Sequence, residues 1–319
     1  MNFYSFLNFL SPEECITKIF FVNRLEHSHI FCIFAAKRIA METIKTLQGF
    51  RLRLTRYTRK ARIAAVCATD NATLTALKTI EEEGLADIIN IQAATPEDSA
   101  EKAVHMVRQG KADILMKGLI GTDQLLRAIL AKEKGLLPTG QVLTHLSVAE
   151  IPTYSKLLFF TDAAVIPYPT HEQRIAQVRY AVSICQRLGI AEPKVALIHC
   201  SEKPSPKFPF VEGYSDIIRM AVHGTFGPCI VDGPLDVKSA CSLHALAAKG
   251  ITSPLRGEAD VLVMPDIEAG NAFYKSMTLF AEARTAGMLC GTIAPVVVPS
   301  RGDSAEAKFN SILFALASL

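Results

Sequence analysis

The sequence predicts an α/β fold with a parallel sheet covered by helices on both faces. From Arg62 onward, short apolar runs rich in β-branched residues alternate with stretches of helical period. The runs are apolar at successive positions, as a strand must be when helices cover both of its faces. Length sets the scale, since 319 residues, half of them apolar, fill two ordinary domains.

Residues 63–67 read as the first strand, and the helix after it carries Thr73, Leu77 and Ile80 and stops at Gly84. Residues 86–93 make the second strand. Thr95-Pro-Glu-Asp is a helix start, and Ala103, Val104 and Val107 form that helix's inner face toward Gly110. Strand 112–116 leads to a helix opened by Gly121-Thr-Asp, with Leu125, Leu126 and Ile129 inward. Further strands are expected at 142–148, 157–166, 195–199, 229–231, 259–264 and 288–298. Helices are expected near 170–188, 214–223, 236–249, 269–286 and 303–318. On length, a domain change falls near Ile151-Pro152.

With 34 basic and 31 acidic residues the net charge is only +3. A nucleic-acid binder would carry a basic excess, so none is expected as a partner. Arg51 to Arg62 holds six positive charges, which read as a solvated lead-in to the first strand rather than a phosphate patch. The eight cysteines stand singly, without CxxC or zinc spacing. They read as reduced thiols of a cytoplasmic protein, with no disulfide framework and no metal.

Residues 1–40 stand apart, with seven of the seventeen phenylalanines. Pro12, Glu13 and Glu14 break the first apolar run, and Arg24, Glu26, His27 and His29 break the second. Neither a signal peptide nor a membrane span of roughly 20 residues fits. The segment is taken as extra sequence ahead of a start at Met41, or else an added peripheral helix.

Ligands of open α/β sheets bind beyond the carboxyl ends of strands, so polar residues just after strands are the site candidates. Four patches qualify. Lys117 and Gly118, with Gly121 and Thr122 at a helix start, suit an anion. Asp232-Gly-Pro-Leu235 follows the 229–231 strand and serves equally as a turn. Met264-Pro-Asp266-Ile-Glu268-Ala-Gly270-Asn271 enters a helix on which Lys275 lies one turn past Asn271. Ser300-Arg301-Gly-Asp303-Ser304, between a strand and a helix, offers a phosphate-sized pocket with a bidentate arginine. Walker A, GxGxxG, GxSxG and HExxH patterns are all absent, which leaves NTP hydrolysis and serine or zinc hydrolysis without support. His199-Cys200 is set aside because neighbours on a strand point to opposite faces.

Taken together, the patches resemble the phosphate acetyl/butyryltransferase family, nearest its butyryl branch. The resemblance rests on Ala112-Asp-Ile-Leu-Met-Lys-Gly118, Lys156-Leu-Leu-Phe-Phe-Thr161-Asp-Ala163 and Cys229-Ile-Val-Asp-Gly-Pro-Leu235. It rests further on Val263 to Asn271 with Tyr274-Lys275, and on Ser300 to Lys308. It implies two three-layer α/β/α domains with a cleft between them, as in isocitrate and isopropylmalate dehydrogenases. Residues 41–149 would form the first domain, 150–293 the second, and 294–319 would return to the first, in a homodimer or higher homo-oligomer. The implied reaction is acyl-CoA plus phosphate giving acyl phosphate plus CoA, with coenzyme A as substrate and no cofactor.

Direct attack by the CoA thiolate needs a base for the thiol and fixed donors for the charge on oxygen. By resemblance Arg301 and Ser300 meet the phosphate and carbonyl oxygens. Lys117, Gly118, Thr122, Thr161, Asp232, Asp266, Glu268, Gly270, Asn271, Lys275 and Ser304 would line the substrate site. The acetyl branch has an aspartate six residues after the motif arginine, where this chain has Ala307. Asp303, Glu306, Asp266 and Glu268 are the remaining carboxylates for the base. A dehydrogenase on the same fold lacks its aspartate cluster here. A CoA- or acyl-phosphate-binding protein without catalysis is the other alternative.

Overall fold

A computed structural model describes residues 43–55 and 59–319. The segment 1–40 lies outside the described residues. The strands are β1 (Ala61–Val66), β2 (Ala86–Ile91), β3 (Ile114–Lys117), β4 (Thr144–Glu150), β5 (Leu158–Thr161), β6 (Lys194–Ile198), β7 (Ile230–Leu235), β8 (Val261–Val263), β9 (Arg284–Cys290) and β10 (Val296–Val297). They form one ten-stranded sheet in the order β2-β1-β3-β10-β9-β4-β5-β8-β6-β7.

The sheet is mixed, which corrects the all-parallel expectation. Strand β4 runs antiparallel to β5 and β9, and β9 antiparallel to β10. In both consecutive pairs the chain turns back through a short loop with no crossover helix, and only antiparallel strands can be joined so. The expected single strand over 288–298 is therefore two strands, with Gly291 in the left-handed region (φ +96°) at the reversal.

The helices are α1 (Leu47–Leu54), α2 (Asn71–Glu82), α3 (Pro96–Arg108), α4 (Thr122–Leu130), α5 (His171–Arg187), α6 (Glu212–Val222), α7 (Val237–Cys241), α8 (Leu243–Lys249), α9 (Ile267–Phe280) and α10 (Ala305–Ala317). Thr95 caps α3 by accepting the Asp98 amide, as its start signal predicts. Helix α9 ends at Phe280, short of the predicted 286, because the next residues begin β9.

Successive strand residues feed opposite faces, as the pleat requires. Ile63 and Ala65 of β1, Phe159 of β5 and Val195 and Leu197 of β6 join one core, which α1, α2, α5, α6 and α10 complete. On the other face there are two cores. Ala64, Val66 and Leu115 pack under α3 and α4, and Leu158, Phe160 and Leu262 pack with α7, α8 and α9. Between these two cores the middle of the sheet presents His145 and Ser147 from β4 and Thr285 and Gly287 from β9 toward a cavity.

The basic lead-in is partly neutralised by ion pairs. Arg51 pairs with Glu83 at 2.7 Å, and Arg59 and Arg62 reach Asp113 at 3.0 and 3.1 Å. Among the described residues, no helix is long and apolar enough to cross a membrane.

Candidate active site

The cavity between the two smaller cores has a volume of about 180 Å³. Ser300 and Asp303 line it from the turn before α10, Asn271 and Lys275 from α9, and His145 and Ser147 from β4. A second cavity, about 340 Å³, shares Tyr274, Lys275, Thr285, Asp303 and Ala307 with it and adds Ser304 and Glu306. Four of the predicted residues thus meet in the first space, and Ser304 and Glu306 adjoin it in the second.

The turn before α10 is built by its own side chains. The Ser300 amide donates to Asp303 Oδ2 at 2.7 Å, and Ser304 caps α10 by accepting the Ala307 amide at 3.1 Å. Glu306 lies 3.6 Å from Arg284. Arg301 is exposed on this turn, and its charge acts on Lys117 at the end of β3. The Lys117 ammonium is buried. Burial first, then Arg301 and Lys308, hold its pKa below the usual lysine range.

Helix α9 is docked by backbone contact. Gly270 has no side chain because a Cβ there would lie 2.0 Å from the carbonyl oxygen of Asp162. Asn271 Nδ2 donates to the Ala163 carbonyl at 3.1 Å. Asp162 is itself buried, and its carboxylate accepts the Thr144 hydroxyl (2.6 Å) and the amides of His145 (3.0 Å), Ala164 (2.8 Å) and Val165 (2.9 Å). One carboxylate therefore ties the start of β4 to the loop on which α9 rests.

Several predicted residues serve the fold and do not line these cavities. Asp266 caps α9 through the Ala269 amide at 2.8 Å, and Glu268 accepts the Tyr168 hydroxyl at 3.0 Å on the exposed side. Neither carboxylate faces the cavity where a thiol base is needed. Thr161 is buried 3.3 Å from Thr144 Oγ1, behind the cavity wall. Asp232 lies on the edge strand β7 and accepts the Ser253 hydroxyl at 2.6 Å. Thr122 opens α4 exposed, and Gly118 lets the backbone approach Cys67 and Ala68. His199 and Cys200 do touch, at 3.8 Å, because β6 ends at Ile198 and frees the pair from strand alternation. The imidazole is nonetheless packed against Phe208 and Phe210, and burial lowers its pKa.

Two features escaped the search for polar residues at strand ends. His145 lies inside β4, and Lys308, within α10, donates to Asp70 Oδ1 at 2.8 Å and Thr73 Oγ1 at 2.9 Å. The signal for His145 was the polar alternation of His145 and Ser147 within an apolar strand. Burial pushes the Cys185 and Cys229 thiols up, Cys241 to about 11 and Cys290 to about 12. None of these four would ionise readily as a nucleophile at neutral pH.

A sheet with helices on both faces, and a cavity in its middle lined by hydroxyl, amide, ammonium and carboxylate groups, defines an α/β group-transfer enzyme. The chain belongs to the phosphate acetyl/butaryl transferase family, whose model matches residues 89–316. It is 38% identical over 277 residues to the phosphate butyryltransferase of Clostridium acetobutylicum, covering 80% of this chain and 92% of that one. A branched-chain phosphotransacylase from Enterococcus faecalis V583 superposes with a TM-score of 0.72 at 32% identity, over 81% of this chain and 98% of that one. The fold is shared more widely. A structure assigned to a 4-hydroxythreonine-4-phosphate dehydrogenase of Salmonella typhimurium matches at TM-score 0.50 and 10% identity, over 82% of this chain and all of that one.

Proposed function

We propose that this chain exchanges phosphate and coenzyme A on a short acyl group, acyl-CoA plus phosphate giving acyl phosphate plus CoA. The observation that carries this is the meeting of Ser300, Asp303, Asn271 and Lys275 in one cavity; Arg301, on the same turn as Ser300, and Lys117 line neither cavity, but the charge of the arginine reaches the lysine. Arg301 and Lys117 take the phosphate charge, the arginine with its planar fork and the lysine as a point charge. Ser300 and Asn271 donate to the acyl oxygen, and the preorganised donors act where charge develops in the transition state. The adjoining cavity along Tyr274, Thr278 and Glu306 is open to the larger substrate, coenzyme A. Coenzyme A is a substrate here and no cofactor takes part.

The acyl group is butyryl or a chain of similar length, a choice supported by 38% identity to a phosphate butyryltransferase. Acetyl is the second choice, supported by the breadth of the family description. Two domains divided near residue 150 fit the arrangement, and the pairing of β10 with β3 supports a C-terminal return to the first. The exposed Leu279 and Phe280 at the end of α9 favour a homodimer, and the six free cysteines among the described residues favour the cytoplasm.

The test is release of free thiol from acyl-CoA. Thiol should appear from butyryl-CoA only when phosphate is added, and a series from acetyl- to isovaleryl-CoA should rank the chain lengths. Thiol release that ignores phosphate would make the chain a thioesterase. No release at all, with CoA still bound, would make it a binding protein.

A further inference from the structure

Attack by coenzyme A on acyl phosphate leaves the thiol proton to be removed, and the carboxylate position of the acetyl branch is Ala307 here, in the wall of the first cavity. We propose that His145 is the proton acceptor for the thiol, a role that rests on the acyl-transfer function above. Three observations place the imidazole for it.

First, His145 lies on β4 in the cavity wall that Ala307, Ser300 and Asp303 share. Second, its place is reserved by the neighbouring strand. A Cβ on Gly287 of β9 would stand 2.7 Å from both Cε1 and Nε2 of the ring, so only glycine lets the imidazole lie over this point of the sheet. Third, both ends of the residue are held. Its backbone amide donates to Asp162 Oδ2, and its Nδ1 lies 3.2 Å from the hydroxyl of the buried Ser147. With Nδ1–H donating to Ser147, Nε2 carries a lone pair over Gly287, which also lines the cavity.

The groups around the ring decide its charge. Asp162 faces it from the loop after β5 and Asp303 from the turn before α10, while Lys275 and Tyr274 line the cavity from α9. Burial outweighs the two carboxylates and holds the imidazole below the usual histidine range. It is therefore neutral, and a competent base, at pH 7.

In acyl-CoA synthesis Nε2 takes the thiol proton as sulfur bonds to the acyl carbon. The acyl C–O bond to phosphate then breaks, phosphate leaves with the electron pair, and the proton passes from Nε2 to it. Phosphorolysis runs the same steps backward, with the departing thiolate recovering its proton.

The experiment is the pH–rate profile of acyl-CoA synthesis from acyl phosphate and CoA, for the full chain and for His145→Gln. The unaltered enzyme should keep its rate from pH 8 down past the ordinary histidine pKa of about 6.5 and lose it only at lower pH, where a histidine with a lowered pKa protonates. In His145→Gln, kcat should fall by about 10²–10⁴-fold with KM for acyl phosphate little changed. The remaining rate should climb toward the thiol's own pKa, about 8.5. A His145→Gln profile parallel to that of the unaltered enzyme, at any rate, would reduce His145 to a positioning residue and overturn the proposal while leaving acyl transfer intact. If the unaltered enzyme releases no thiol in the phosphate-dependent assay, acyl transfer falls and the proton acceptor with it. Should His145→Gln fail to fold, Gly287→Ala decides. Displacement of the ring should lower kcat, and an unchanged rate and profile would count against the role.

Discussion

Lys117, at the end of β3, and Arg301, on the turn after β10, carry their positive charges close enough to disturb one another. The sheet puts them there: Val297 of β10 pairs with Met116 of β3, so both chains leave adjacent parallel strands at the same end. Burial and Arg301 both press the Lys117 ammonium toward losing its proton. Two cations held together without a full set of counter-charges are an anion site in waiting. A lysine with a lowered pKa loses its charge as pH rises, earlier than the usual 10.5. The KM for phosphate should therefore begin to rise at a lower pH than an ordinary lysine would set. Lys117→Arg, which stays charged, should remove that rise, and an identical pH dependence in Lys117→Arg would exclude Lys117 from the phosphate site.

Arg301 is exposed on its turn and makes no contribution to a core, so its removal should leave the fold alone. Arg301→Ala should cost at least about 3 kcal/mol of transition-state stabilisation, the scale of removing one key donor to a developing oxyanion. That is a loss of two orders of magnitude or more in kcat/KM, with thermal unfolding unchanged. An unaltered kcat/KM would assign phosphate binding elsewhere.

The pairing of Lys308 with Asp70 joins α10 to the start of α2 across 238 positions of sequence. Burial alone would raise the Asp70 carboxyl, but hydrogen bonds from Lys308 and Thr73 overcome it and hold it well below the usual carboxylate range. A carboxylate depressed in this way stabilises the fold above its unfolded pKa of about 3.9, and that contribution is lost as pH falls below it. Asp70→Asn leaves the Lys308 ammonium buried without its counter-charge and should cost about 3 kcal/mol. Lys308→Met should cost less, because Asp70 is partly exposed and keeps the Thr73 amide. Denaturant unfolding at pH 7 and at pH 3 should show the difference between unaltered chain and Asp70→Asn shrink at the lower pH.

What could be read from the sequence was what depends on neighbours along the chain. Thr95 as a helix start and Asp266 ahead of its helix follow from local hydrogen bonding, and both act as caps, whereas the last helix is capped by Ser304 and not by the neighbouring Asp303. Strand direction was not legible, because an apolar run buried on both faces looks the same either way. Gly291 and Pro295 inside the supposed strand 288–298 were the one local sign of a reversal, a left-handed turn before β10. Within the site, Ser300, Asp303, Asn271 and Lys275 were legible as polar residues after strands. His145 and Ser147 were not, since they lie within β4 and gain their meaning from Gly287 on a strand about 140 residues later. By contrast, the polar groups of Thr161, Asp232 and Glu268 meet partners within the fold.

Gly270 is the point at which the α9 half of the site can be tested for fit. A Cβ there would lie 2.0 Å from the Asp162 carbonyl oxygen and 3.2 Å from the Ala163 Cα, both backbone atoms that cannot swing aside. Helix α9 and the loop after β5 would have to separate, and that loop carries the carboxylate gripping His145. Gly270→Ala should therefore destabilise the chain by more than about 3 kcal/mol, beyond the usual cost of an extra methyl in a core. Gly302→Ala is the control, since no atom lies within 4 Å of its Cβ position. If thermal unfolding shows Gly270→Ala to be as stable as Gly302→Ala, the close docking of α9 on residues 162–163 is wrong. A Gly270→Ala protein that folds but has lost acyl transfer would instead show the helix shifted, with Asn271 and Lys275 carried away from Ser300.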